Sequence, residues 1–125
     1  MSHFTTIKTQ IKDIDALCLA LTEMGLALFT NANARGYSSN KTHGDFVIRL
    51  NGPYDIALNK QPDGSYGLIA DLYAGHVENE VGQNYGKLLQ LYGIHKTMLE
   101  AKKKGYSALR KIQADGSIKL TLCSL

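Results

Sequence analysis

His95, Tyr92, Asp55 and Asp71 are the residues of this 125-residue chain whose types and spacing offer chemistry. Tyr92 and His95 stand three positions apart, close to one helical turn, so a helix would present phenol and imidazole on the same face. Asp55 and Asp71 fall within or at the ends of apolar segments that read as strands. A helix packed on that sheet would bring imidazole, phenol and carboxylate together, and a carboxylate neighbour would raise the histidine pKa into a range useful for acid–base work. Under that reading, changing His95 to alanine abolishes activity. The competing reading is structural and is the stronger of the two. Histidine and tyrosine on a helix stripe more often hydrogen-bond inside their own domain, and strand carboxylates are often paired or solvated.

Those four residues need a helix and a sheet to position them. Apolar residues alternate between periods of two and 3.6 along the chain. Residues 3–9 read as a strand beginning at His3, with Phe4 as a core candidate. Asp13 then suits a helix N-cap, Ile14, Leu17, Cys18 and Leu21 form one apolar stripe, and Gly25 suits the left-handed position that ends a helix. A short strand over 26–29 is expected to break at Asn31-Ala-Asn-Ala34, and residues 38–44 read as a mobile loop. Strands over 45–50, 54–60 and 66–73 follow, separated by Asn51-Gly52-Pro53 and Gln61-Pro62-Asp63-Gly64. Loops that short connect antiparallel neighbours and leave little room for parallel crossovers.

The second helix is expected over 80–104, with Val81, Tyr85, Leu88, Tyr92, His95 and Leu99 on its stripe and Leu91 and Met98 widening it. Gly82, Gly86 and Gly93 interrupt that stretch, each at about 1 kcal/mol relative to alanine. A final hairpin, 106–113 with 117–123, turns at Ala114-Asp115-Gly116. The order β-α-β-β-β-β-α-β-β predicts a single α+β domain over 1–125, with a mainly antiparallel sheet and two amphipathic helices on one face.

Other chemistries lack support in the sequence. His3, His43, His76 and His95 are scattered, without ligand pairs two to five positions apart, so no metal site is expected. Neither a Gly-x-Gly-x-x-Gly turn nor a Gly-x-x-x-x-Gly-Lys-Ser/Thr loop occurs, so no nucleotide cofactor is indicated. Serine nucleophiles lack an elbow context and neither cysteine has a nearby base. Cys18 and Cys123 are expected as reduced, buried, small hydrophobes. Net charge is +3, and the basic run Lys102-Lys103-Lys104 falls where a helix should end before Gly105, a place where cations complement the helix dipole. Nonspecific nucleic-acid binding is therefore a weaker alternative.

A hydrophobic fraction of 44% and a charged fraction of 20% match ordinary globular domains. No basic-then-apolar leader opens the chain and no apolar run reaches the roughly 18 residues of a membrane span. A cytoplasmic location without membrane contact is the expectation.

Five blocks, in order along nearly the whole chain, carry a family resemblance: Met1-Ser-His-Phe-Thr-Thr-Ile-Lys-Thr-Gln-Ile11, Arg35-Gly-Tyr37, Tyr54-Asp-Ile56, Ala70-Asp-Leu72, and Gly105-Tyr106 with Asp115-Gly-Ser-Ile-Lys-Leu120. Through them the chain resembles the Ycf35-like (DUF1257) family of uncharacterised plastid, cyanobacterial and bacterial proteins. Those relatives are similar to it at Tyr92, His95, Asp55 and Asp71 also. They typically carry tryptophans just after the first helix, in the loop after the central strands and near the C-terminus, whereas this chain has none and places residues such as Leu28 and Leu125 there. That departure marks a divergent member and argues against taking a plastid or cyanobacterial source from the resemblance. The resemblance implies an AAA-type ATPase or a ferredoxin-like protein as partners. Seven tyrosines and several sheet edges suit protein contacts. The favoured expectation is a small accessory or protein-interaction protein, with an enzyme built on His95, Tyr92 and an aspartate as the alternative.

Overall fold

Asp13 and Gly25 bracket the first helix as their chemistry requires. In the computed structural model, which describes residues 4–124, helix α1 spans Ile14–Met24. The Asp13 carboxylate accepts the Ala16 N–H at 3.2 Å, and Gly25, at φ 73°, returns its N–H to the carbonyls of the last turn. Both ends thus satisfy backbone groups that a helix leaves open. Strand β1 is Phe4–Lys8. His3, expected at its start, and Leu125 lie outside the described residues.

Strands β2 (Ala27–Arg35), β3 (Lys41–Arg49), β4 (Ile56–Lys60) and β5 (Tyr66–Asp71) join β1 in a five-stranded sheet of order β1-β5-β4-β3-β2. Every neighbouring pair is antiparallel, so the fold is α+β as expected. β1 and β2 are opposite edges, and α1 carries the chain from one to the other. One sheet face supplies Ile48, Ile56, Leu58, Leu68 and Ala70 to the main core, where they meet Leu17 and Leu21 of α1. Ala34, Val47 and Ala57 form a smaller cluster through the alternate positions, as a period of two demands.

After β5 the chain makes a short helix α2 (Glu78–Val81), then α3 (Gly86–Lys103), whose Leu88 and Tyr92 complete the main core. Strands β6 (Tyr106–Ile112) and β7 (Ile118–Ser124) form their own two-stranded sheet. Its inner face packs Ile118 and Leu120 against Leu91, Ile94 and Met98 of α3. No helix among the described residues is long and apolar enough to cross a membrane.

Four expectations need correcting. β2 does not break at residues 31–34: Ala32, Asn33 and Ala34 pair with Gly44, His43 and Thr42, and this pairing overrides the weak strand preference of asparagine. The same ladder makes Lys41–Gly44 strand rather than loop. The long helix from residue 80 is interrupted at Gly82, which sits at φ 87° with its chain so close to the next turn that a Cβ would lie 2.8 Å from the Lys87 nitrogen. Finally, both cysteines are exposed. On α1 the core face is Ala16, Leu17, Ala20 and Leu21, and the roughly 100° step per residue turns Cys18 away from it. Cys123, opposite Ser107, is on the outer face of the hairpin.

Candidate functional site

Asp55 has no solvent exposure, yet its carboxylate is charged and fully engaged. Arg35, at the end of β2, grips it with Nε to Oδ2 and Nη2 to Oδ1, both at 2.8 Å. The Arg35 and Leu50 N–H groups donate to it as well, at 2.9 and 3.2 Å. Burial alone pushes the Asp55 carboxyl up; the guanidinium and the backbone donors outweigh burial and hold it below the usual carboxylate range. Arg35 Nη2 also donates to the carbonyls of Leu50 and Gly52. Glu80 of α2 accepts the Asn51 and Gly52 N–H groups at 2.7 and 3.0 Å, so the β3–β4 loop is fastened from both sides.

Asp71, also without exposure, ends β5 and accepts the N–H of Tyr37 at 2.8 Å and of Tyr73 at 2.9 Å. The turn between β2 and β3 is therefore held from beneath by two buried carboxylates. Gly36 fits closely there: a Cβ would come within 2.6 Å of the Phe4 ring and 3.2 Å of the Asp71 Cβ, so the ring would have to shift. Rings flank this point: Tyr37 meets Tyr73 and Tyr54 meets His76, each edge to face with centroids 4.9 Å apart. Burial and the nearby Asp71 charge push the Tyr54 phenol above its ordinary pKa. Above these groups opens a polar cleft of about 570 Å3, lined by the 35–41 turn, Pro53, Tyr54 and His76.

Tyr92 and His95 have different partners. The Tyr92 hydroxyl accepts the N–H groups of Lys12 and Asp13, both at 3.1 Å, and so braces the start of α1. His95 Nε2 lies 2.9 Å from Glu23 Oε1, and Glu23 is also gripped by Arg110 of β6 at 2.8 and 2.6 Å. Arg110 first, then His95, draw the Glu23 carboxyl down to about 2. These contacts tie α1, α3 and the hairpin together. No hydrogen bond among the described residues joins Tyr92 or His95 to Asp55 or Asp71; the structure divides the four between the helix pair and the strand ends.

The cleft residues Arg35, Lys41, Tyr54 and His76 were not grouped by reading the sequence. A signal was present: the blocks Arg35-Gly-Tyr37, Tyr54-Asp-Ile56 and Ala70-Asp-Leu72, distant in sequence, converge beside this cleft. Among the described residues, no three or more His, Cys, Asp or Glu side chains are grouped so as to hold a metal ion.

Fold and site together define a small α+β protein with a polar cleft at a braced β-turn and a separate hairpin docked on its helices. The chain belongs to the family described as "Protein of unknown function (DUF1257)", whose model matches residues 20–121. It is 35% identical over 122 residues to "Uncharacterized protein ycf35" of Pyropia yezoensis, covering 96% of this chain and 94% of that one. To "Uncharacterized protein ycf35" of Guillardia theta it is 32% identical over 124 residues, covering 98% and 96%. No solved structure matches the chain at a significant level.

Proposed function

We propose that this chain is an accessory protein that works by binding other proteins, with the C-terminal hairpin as its recruiting surface. The carrying observation is the state of that hairpin. It docks by one face only, leaves both outer strand edges without a backbone partner among the described residues, and exposes Leu109 and Ile112 by 65% and 69%. Unpaired edges are templates for strand addition, and large exposed aliphatic side chains are what a partner would cover.

Charge supports a partner of defined chemistry. Residues 102–124 hold six of the fourteen Lys and Arg but one of the eleven Asp and Glu, a side-chain charge of +5, which leaves −2 on residues 1–101. On the outer face Lys111 stands directly opposite Lys119. The partner is accordingly an acidic protein segment in extended form, with apolar residues to meet Leu109 and Ile112. The AAA-type ATPase and the ferredoxin-like protein implied by the family resemblance are the first candidates.

The test compares affinity capture by the wild type and by a Leu109→Glu/Ile112→Glu variant, whose altered positions are exposed. A protein captured by the wild type, lost with the variant and bound again when purified supports the reading. Equal capture by both proteins, or recovery of nuclease-sensitive material with tight salt-resistant heparin retention, would overturn it in favour of another surface or of nucleic acid.

A further inference from the structure

At the β2–β3 turn two cations face each other. Arg35 and Lys41 are direct cross-strand partners, an arrangement that destabilises a hairpin unless negative charge offsets it. Asp55 offsets Arg35, but only through Nε and Nη2, whose remaining hydrogen goes to backbone carbonyls. Arg35 Nη1 has no partner among the described residues, and Lys41 forms no ion pair with them. Ser38 and Ser39 lie between the two strands, and Tyr54 and His76 border the same cleft; none of these four side chains hydrogen-bonds to a described residue. No Asp or Glu lines the cleft among the described residues. It is a concave site of donors without acceptor charge, and its turn is braced from below by Asp55 and Asp71.

We propose that this cleft binds a small phosphate monoester, with the phosphoryl oxygens taken by Arg35 Nη1, Lys41 Nζ and the serine hydroxyls, and the organic part lying against Tyr54 and His76. Phosphate fits better than carboxylate because Asp55 already occupies the guanidinium fork that would recognise a planar carboxylate side-on. What remains is a set of single donors from two strands and the turn between them, which suits a tetrahedral group with three free oxygens. Bracing adds to this, since donors already held in place lose little freedom on binding. The proposal is independent of the hairpin reading and concerns different strands.

The test is an amide-resolved NMR titration of the full chain with phenyl phosphate, with inorganic phosphate, and with sodium chloride at matched ionic strength. Saturable shifts at Ser38, Ser39, Lys41, Tyr54 and His76 are expected, with phenyl phosphate bound more tightly than inorganic phosphate. Lys41→Gln, at an exposed position, should weaken binding about tenfold, the worth of one charge-assisted hydrogen bond. His76→Ala should remove the advantage of phenyl phosphate and leave inorganic phosphate unchanged. Shifts that chloride reproduces, shifts equally strong at Lys102, Lys103 and Lys104, or an unaltered affinity in Lys41→Gln would each overturn the site. A phosphoserine peptide binding more tightly than phenyl phosphate would assign the cleft to a protein segment and overturn the small-molecule ligand.

Discussion

A carboxylate sealed from water, as Asp55 is, survives because the Arg35 guanidinium and two backbone N–H groups replace its hydration, with the Arg49 guanidinium 4.0 Å away. Removing the cation should therefore cost far more than the pair itself contributes. Arg35→Ala is expected to lose roughly 3–5 kcal/mol of stability by denaturant unfolding, because the buried charge keeps only the Arg49 guanidinium, 4.0 Å away, as a cation. Arg35→Lys should recover only part of that, since an ammonium cannot reproduce the two parallel donors from Nε and Nη2. Equal stability of Arg35→Lys and the wild type would show that the fork does not matter. Asp55, Asp71, Tyr92 and His95 were recognisable in the sequence as groups capable of chemistry. Their partners were not, because Arg35 precedes Asp55 by twenty positions and Lys12 and Asp13 precede Tyr92 by about eighty.

Glu23 acts between elements, joining α1 to α3 through His95 and to β6 through Arg110. Its carboxyl lies at about 2 against an ordinary 4.5. A depressed folded-state pKa means that the stabilisation is complete above the unfolded value and fades as pH falls toward the folded one. Melting temperature should therefore drop between about pH 4.5 and pH 2 more steeply in the wild type than in Glu23→Gln. Parallel pH profiles would remove Glu23 from the docking of the hairpin. Helix α1 was legible almost to the residue, since Asp13, Gly25 and the apolar spacing all act locally. β2 was not. Its Asn-rich end is held as strand only by β3, and the Gly82 break depends on the close approach of Lys87.

Over the whole molecule, charge is divided unevenly, with +5 on residues 102–124 and −2 on the rest. The outward pair Lys111 and Lys119 adds repulsion within an exposed hairpin, the kind of feature a binding surface retains at a cost in stability. Lys111→Glu turns a like-charge pair into an opposite one and should stabilise the free protein by roughly 0.2–1 kcal/mol at low salt. The gain should shrink at high ionic strength, where exposed charges are screened. Urea unfolding at both ionic strengths measures it, and a destabilised variant would mean that Lys111 has a favourable partner within the fold.

By itself the sequence determined the α+β class, the capped first helix, the β3-β4-β5 meander and the last hairpin. Each follows from interactions among residues near one another in the chain: caps, apolar periods and turn residues. Tertiary structure alone decided that β1 closes on β5, that the last hairpin stands apart from the main sheet, and that both cysteines face outward. It also decided that Tyr92 and His95 brace helices while Asp55 and Asp71 brace a turn. Those outcomes depend on which surfaces meet across distances from twenty residues, between Arg35 and Asp55, to more than sixty, between Phe4 and Asp71, and no local pattern specifies such meetings.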